Sequence, residues 1–287
     1  MRISFVLGFV FASAAIFPFP AVPATSEVPD FSGYWARRTF AFELPAAGQG
    51  PIGRFNRANT GNYSSPLLTP RGAAVVKQRT EMLLGGEAYP NPSLDCWPMV
   101  APYIFRIQEF QVVRKKDEIL FLFMQDHQVR RIRLNAQHPA QATPSWYGDS
   151  VGHYEGDTLV VDTIGHKTGP FPIVDMYGSP FSEALHVVER YRLIDYEAAK
   201  AAQEKNIRDS GPVLTEQAAS VDENYRGKGL EVQFTVEDEE VFTSPFTATL
   251  TYVPNPGPLE ESICAENTHE YYSNKESDVP KAEKPDF

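Results

Sequence analysis

Nine stretches of this chain alternate apolar and polar residues with a period of two. They cover about 34–42, 105–114, 118–125, 127–134, 147–155, 158–164, 183–194, 229–238 and 246–254. This period is the signature of half-buried β-strands. In "GLEVQFTVED", Leu230, Val232, Phe234 and Val236 share one face, and Glu231, Gln233, Thr235 and Glu237 share the other. Several connections are short, and sequential strands usually pair as neighbours. A sheet this long curls, and closure removes its edges. The pattern predicts a mainly β fold: a single antiparallel up-and-down barrel of about 8–10 strands, with a sandwich as second choice.

Two segments break the alternation. In "LTPRGAAVVKQRTEMLLGG", Thr69 suits the N-cap, Pro70 the first helical position and Gly85 the stop, so residues 70–84 read as an N-terminal helix. "YEAAKAAQEKNIRD" is rich in Ala, Glu and Lys and predicts a solvated helix over 196–207, inserted between two strands.

The N-terminus reads as a secretory leader. Met1-Arg2 is basic, Ile3 to Phe17 is apolar, and Val22-Pro23-Ala24 supplies small residues for cleavage after Ala24. Residues 25–287 then form one barrel domain, with 255–287 as a polar tail wrapping the surface. No other stretch is apolar enough to span a bilayer, and the expected location is periplasmic or secreted. Loss of Arg2 with the leader leaves 25 basic against 37 acidic residues, a formal charge of −12. Such a surface repels phosphate backbones, which argues against nucleic acid as a partner. In an oxidising compartment, Cys96 and Cys264 read most simply as one disulfide.

Alternation also points to chemistry. In "LHVVERYRL", Glu189 shares a face with Leu185, Val187, Tyr191 and Leu193, where a carboxylate is costly unless paired or protonated. In "HQVRRIRLN", Ile132 and Leu134 draw Arg130 inward, where a guanidinium can bind a carboxylate with two parallel hydrogen bonds. Its partner is either Glu189 or an acidic substrate group. The stretch "SVGHYEGDTLVVDTIGH" folds back at Glu155-Gly156-Asp157 and carries Asp149, His153, Asp162 and His166. Gly148 and Gly152 leave room beside a neighbouring strand or a ligand. None of the six histidines forms a metal-binding spacing, although His127, His153 and His186 could converge from separate strands; the expectation is no metal and no cofactor.

Two resemblances add to this. "GYW" at Gly33–Trp35 is similar to the G-x-W of lipocalin-like barrels. The run "HQVRRIRLN…HP…PSWYGDSVGHYEGDTLVVDTIG…SEALHVVERYRLID", with "CAEN…VPKAEKPDF", resembles a widespread group of secreted bacterial proteins and covers most of the mature chain. That group brings no activity with it. Barrels of the lipocalin-like type bind hydrophobic small molecules, and some act as cofactor-free lyases or isomerases, an implication from fold alone. The resulting expectation is a cavity that takes a hydrophobic, aromatic small molecule and performs acid–base chemistry on it. Glu189, His153 or His127 would act as base and Arg130 would orient an anion. Trp146, Tyr154, Tyr191 and His186 would contact the substrate. The alternatives are a non-catalytic carrier, or a cell-envelope interaction protein with a packed core.

Overall fold

The computed structural model describes residues 28–37, 41–45, 47–53, 60–93, 95–106, 109–210, 224–259 and 262–264. The predicted leader, and the tail beyond Cys264, lie outside them.

The strands form one closed barrel in sequence order. They are β1 (Gly33–Ala36), β2 (Glu109–Arg114), β3 (Glu118–Phe123), β4 (Val129–Leu134), β5 (Asp149–Glu155), β6 (Thr158–Ile164), β7 (His186–Ile194), β8 (Gly229–Glu237) and β9 (Phe246–Pro254). The helices are α1 (Pro70–Leu84), between β1 and β2, and α2 (Tyr196–Ser210), between β7 and β8.

One pair corrects the expectation of a purely antiparallel barrel: β4 and β5 run parallel. The reason is parity. Nine strands whose last and first members also pair antiparallel cannot alternate direction all the way round. One neighbouring pair must run the same way. The chain therefore doubles back along the loop 135–148 before β5 begins. The parallel seam is short, with only Arg133 opposite Val151 and Leu134 opposite Gly152, whereas β7 and β8 match from His186–Glu237 to Ile194–Gly229. Gly152 belongs at this seam because a Cβ there would fall 2.9 Å from the Ile132 side chain.

Inward faces follow the alternation. Leu230, Val232, Phe234 and Val236 are fully buried, as are Val187, Ala248, Leu250 and Tyr252. The barrel is filled by side chains rather than hollow. Phe110 meets Tyr252 edge-on with ring centroids 4.8 Å apart, and Phe121 lies 5.2 Å from Tyr191. The segment 99–105 adds Met99, Ile104 and Phe105 to the same core.

Both helices begin where expected. Thr69 caps α1 by accepting the Gly72 N–H, and Val76 and Thr80 are the buried positions on its inner side. A Cβ at Gly72 would lie 2.7 Å from the Val241 carbonyl oxygen, so this glycine lets α1 sit directly on the β8–β9 connection. Helix α2 runs three residues further than expected and is not wholly solvated: Ala199 is fully buried, and Asn206 donates to the Ala41 carbonyl at 2.9 Å.

Cys96 and Cys264 are disulfide-bonded, with Cα atoms 5.5 Å apart. The bond ties the segment before β2 to the chain after β9. The Cys264 N–H also donates to Asp126 Oδ1 at 2.6 Å, which fixes the bridge to the β3–β4 turn.

Candidate functional site

Two constellations are the site candidates, an ion-pair network inside the barrel and an aromatic cleft at its end. The inner one is centred on Arg130 and Glu189, which are 1% and 0% exposed. Arg130 Nη1 and Nη2 donate to Glu189 Oε1 and Oε2 at 2.7 and 2.5 Å, a bidentate pair. The Tyr191 hydroxyl donates to Oε1 at 3.1 Å. Arg130 also reaches Thr163 Oγ1 at 2.8 Å and Ser150 Oγ at 3.2 Å, and those two hydroxyls lie 3.0 Å apart. Burial alone would pull the Arg130 guanidinium down, but the Glu189 carboxylate and its hydrogen bonds hold it above the usual arginine range. Burial, then the Glu189 charge, push the Tyr191 phenol well above its ordinary value. This is a closed ion-pair network with both carboxylate oxygens engaged.

The network stitches four strands together: Arg130 comes from β4, Ser150 from β5, Thr163 from β6, and Glu189 and Tyr191 from β7. It bridges the parallel seam, where only two residue pairs face each other, as few as between β1 and β9.

Sequence reasoning placed Glu189, Arg130 and Tyr191 in one interior, and the structure brings those three together. The other candidates lie elsewhere. His127 follows Asp126 in a turn where both residues have positive φ (46° and 55°), so it leaves the strand it was assigned to and is exposed. His153 is exposed on the outer face of β5, 3.2 Å from Glu155. His186 is also on the outer face, with Nε2 3.1 Å from Asp162 Oδ1 and Nδ1 3.3 Å from Glu237 Oε2. Tyr154 is half-buried and stacks on Phe31 with centroids 6.3 Å apart. Trp146 sits in a loop at the end of the barrel. Among the described residues, no group of three or more His, Cys, Asp or Glu side chains is arranged to hold a metal ion.

His138, which sequence reasoning passed over inside a proline-containing loop, completes an outer polar chain. Its Nδ1 lies 2.7 Å from Asp149 Oδ1 and its Nε2 3.0 Å from Asp162 Oδ1. Arg133 grips the same Asp149 carboxylate at 2.7 and 2.9 Å. These contacts clasp the long loop 135–148 to the barrel wall.

His166 is uncompensated at both ring nitrogens. It is 1% exposed, and neither ring nitrogen has a partner in hydrogen-bond geometry, although the Leu185 backbone lies close enough to offset its shift in part. Burial and then the Arg130 charge pull its pKa from 6.5 to about 3, so the ring is neutral.

The second constellation is a cleft built from three loop segments at the end where β5 and β7 begin. It is lined by Trp97, Trp146, Lys167, Phe171 and Phe181, with Pro92, Pro98 and Pro172 among the rest. Trp97 meets Trp146 edge-on at 5.0 Å and Phe171 at 6.1 Å. A Cβ at Gly169 would lie 2.7 Å from the Trp146 ring, so the indole rests against the bare backbone there. Trp97, Trp146 and Phe171 are all half-buried. The disulfide holds the Trp97 segment at Cys96, and the Gln128 side chain holds it again by accepting the Met99 N–H at 2.9 Å.

No protein-family model matches the chain, and neither a curated protein nor a solved structure matches it.

Proposed function

We propose that this chain is a non-catalytic binding protein of an oxidising compartment, and that it takes a small aromatic molecule in the loop cleft rather than inside the barrel. The observation that carries this reading is the cluster of three half-buried rings, Trp97, Trp146 and Phe171, around an apolar cleft. Aromatic rings that stand half-exposed on a rigid frame offer a planar ligand an edge to pack on at little entropic cost. The disulfide supports the compartment.

Acid–base turnover by a lyase or isomerase needs a base within reach of a substrate proton. Glu189 has both oxygens engaged inside a filled barrel, and His127 and His153 are far from it in the fold, on a turn and on the outer wall. The non-catalytic alternative is therefore the better reading of the same residues.

The test is a titration with benzyl alcohol, followed on the indole N–H resonances of Trp97 and Trp146. Saturable shifts in the native protein, lost in a folded Trp146→Ala variant, are expected. Shifts confined to barrel-interior signals, or none at all, would overturn the reading.

A further inference from the structure

We infer that the cleft selects aromatic anions, of the arylcarboxylate class, over neutral and cationic aromatics of the same shape. The inference rests on the cleft being the ligand site, and it names that ligand's charge. Lys167 is the one charged residue among those lining the cleft. Its Nζ sits 4.8 Å from the Trp146 ring centroid, over the indole. Among the described residues it has no carboxylate partner, although acidic residues outnumber basic ones by 37 to 26 over the chain.

The remaining lining among the described residues is apolar or aromatic, so there the one fixed charge that faces the cleft is positive. A planar aromatic ring packed against Trp97 and Phe171 would place a carboxylate substituent toward the rim, where the ammonium stands. Opposite charges in a partly desolvated setting attract more strongly than in bulk water. An aromatic ammonium would compete with Lys167 for the Trp146 face and meet like-charge repulsion. Lys167 is exposed, so the preference is modest rather than absolute.

Three single-ring isosteres separate charge from shape: benzoate, benzyl alcohol and benzylammonium. Benzoate is expected to bind about three- to fivefold tighter than benzyl alcohol, the upper part of what an exposed ion pair allows. Benzylammonium should bind weakest. The benzoate advantage should shrink between 0.05 and 0.5 M salt, on the order expected for screening of an exposed pair. In Lys167→Met, which keeps the apolar stem, the three dissociation constants should converge to within about twofold. Equal binding of benzoate and benzyl alcohol by the native protein would overturn the inference and leave the aromatic site standing. Tightest binding by benzylammonium would also overturn it, since it would mean that the ligand displaces Lys167. Failure of all three probes would remove the site itself and the charge preference with it.

Discussion

The barrel interior and the loop cleft both combine aromatic rings with a basic side chain, but they differ in what their polar atoms touch. Inside, the Arg130 guanidinium is held by Glu189, Ser150 and Thr163, and Tyr191 closes on the carboxylate. At the cleft, Lys167 lies over Trp146 with no carboxylate beside it among the described residues, and the rings are half-exposed. The first arrangement spends its hydrogen bonds within the protein and joins β4, β5, β6 and β7 across the short parallel seam. The second has one charged side chain and half-exposed rings without such a network. A buried titratable pair whose oxygens are all engaged is thus better evidence of assembly than of a reactive site. Structural ion pairs perturb their members as strongly as catalytic sites do.

The largest effect that would sharpen this contrast is on stability. Replacing Arg130 by Met leaves Glu189 buried without its partner, and should cost roughly 3–5 kcal/mol in chemical denaturation. A loss below about 1 kcal/mol would mean that the pair does not hold the seam. Arg130→Met should leave benzoate affinity unchanged wherever the variant is folded.

Next comes the disulfide. Exchange of Cys96 and Cys264 for Ser should cost roughly 2–4 kcal/mol, and should weaken benzoate binding because the bond anchors the segment that carries Trp97. Unchanged affinity in the folded double Ser variant would detach the cleft from that anchor.

At neutral pH the smallest effect belongs to His166, whose imprint is on pH dependence. Its folded pKa of about 3 lies below the ordinary 6.5, so the unfolded chain binds the extra proton between those values. Stability from this group therefore falls as pH drops through that window, by up to about 1.4 kcal/mol per pH unit. His166→Phe removes two unpartnered buried nitrogens and their titration. The variant should match or exceed the native protein in stability at pH 7 and show a flatter decline from pH 6 to 4, on the order of one proton's linkage. An identical decline in both proteins would show that His166 does not titrate on unfolding.

Much of the barrel was legible because its signals are local. Thr69, Pro70 and Gly85 mark the ends of α1 directly, and alternation placed Glu189 with Val187 and Tyr191 on the buried face. The Arg130–Glu189 partnership was readable as one of two options, the other being an acidic substrate group, since a charged residue on an inward face needs a partner. The parallel seam was not readable, because strand direction leaves no mark in a period of two. It follows from the count of strands and from a loop, 135–148, long enough to return. His127 was misplaced because its strand pattern continues by chance into a left-handed turn. Of the cleft, only Trp146 was named as a ligand contact, and it was assigned to the barrel interior: Trp97, Trp146 and Phe171 come from separate loops, and loops carry no period that reports what they face.

If the polar interior holds the barrel and ligand binding belongs to the cleft, as proposed, the two separate on mutation. Benzoate affinity of the Arg130→Met/Glu189→Leu double variant is the decisive measurement. Replacing both members of a buried pair by apolar residues of similar volume is expected to recover most of the stability that the single Arg130→Met change loses. The account predicts that this refolded barrel binds benzoate within about twofold of the native protein, because Trp97, Trp146 and Lys167 are untouched. Loss of benzoate binding in a double variant as stable as the native protein would place the ligand at Arg130 and Glu189, and would contradict the claim.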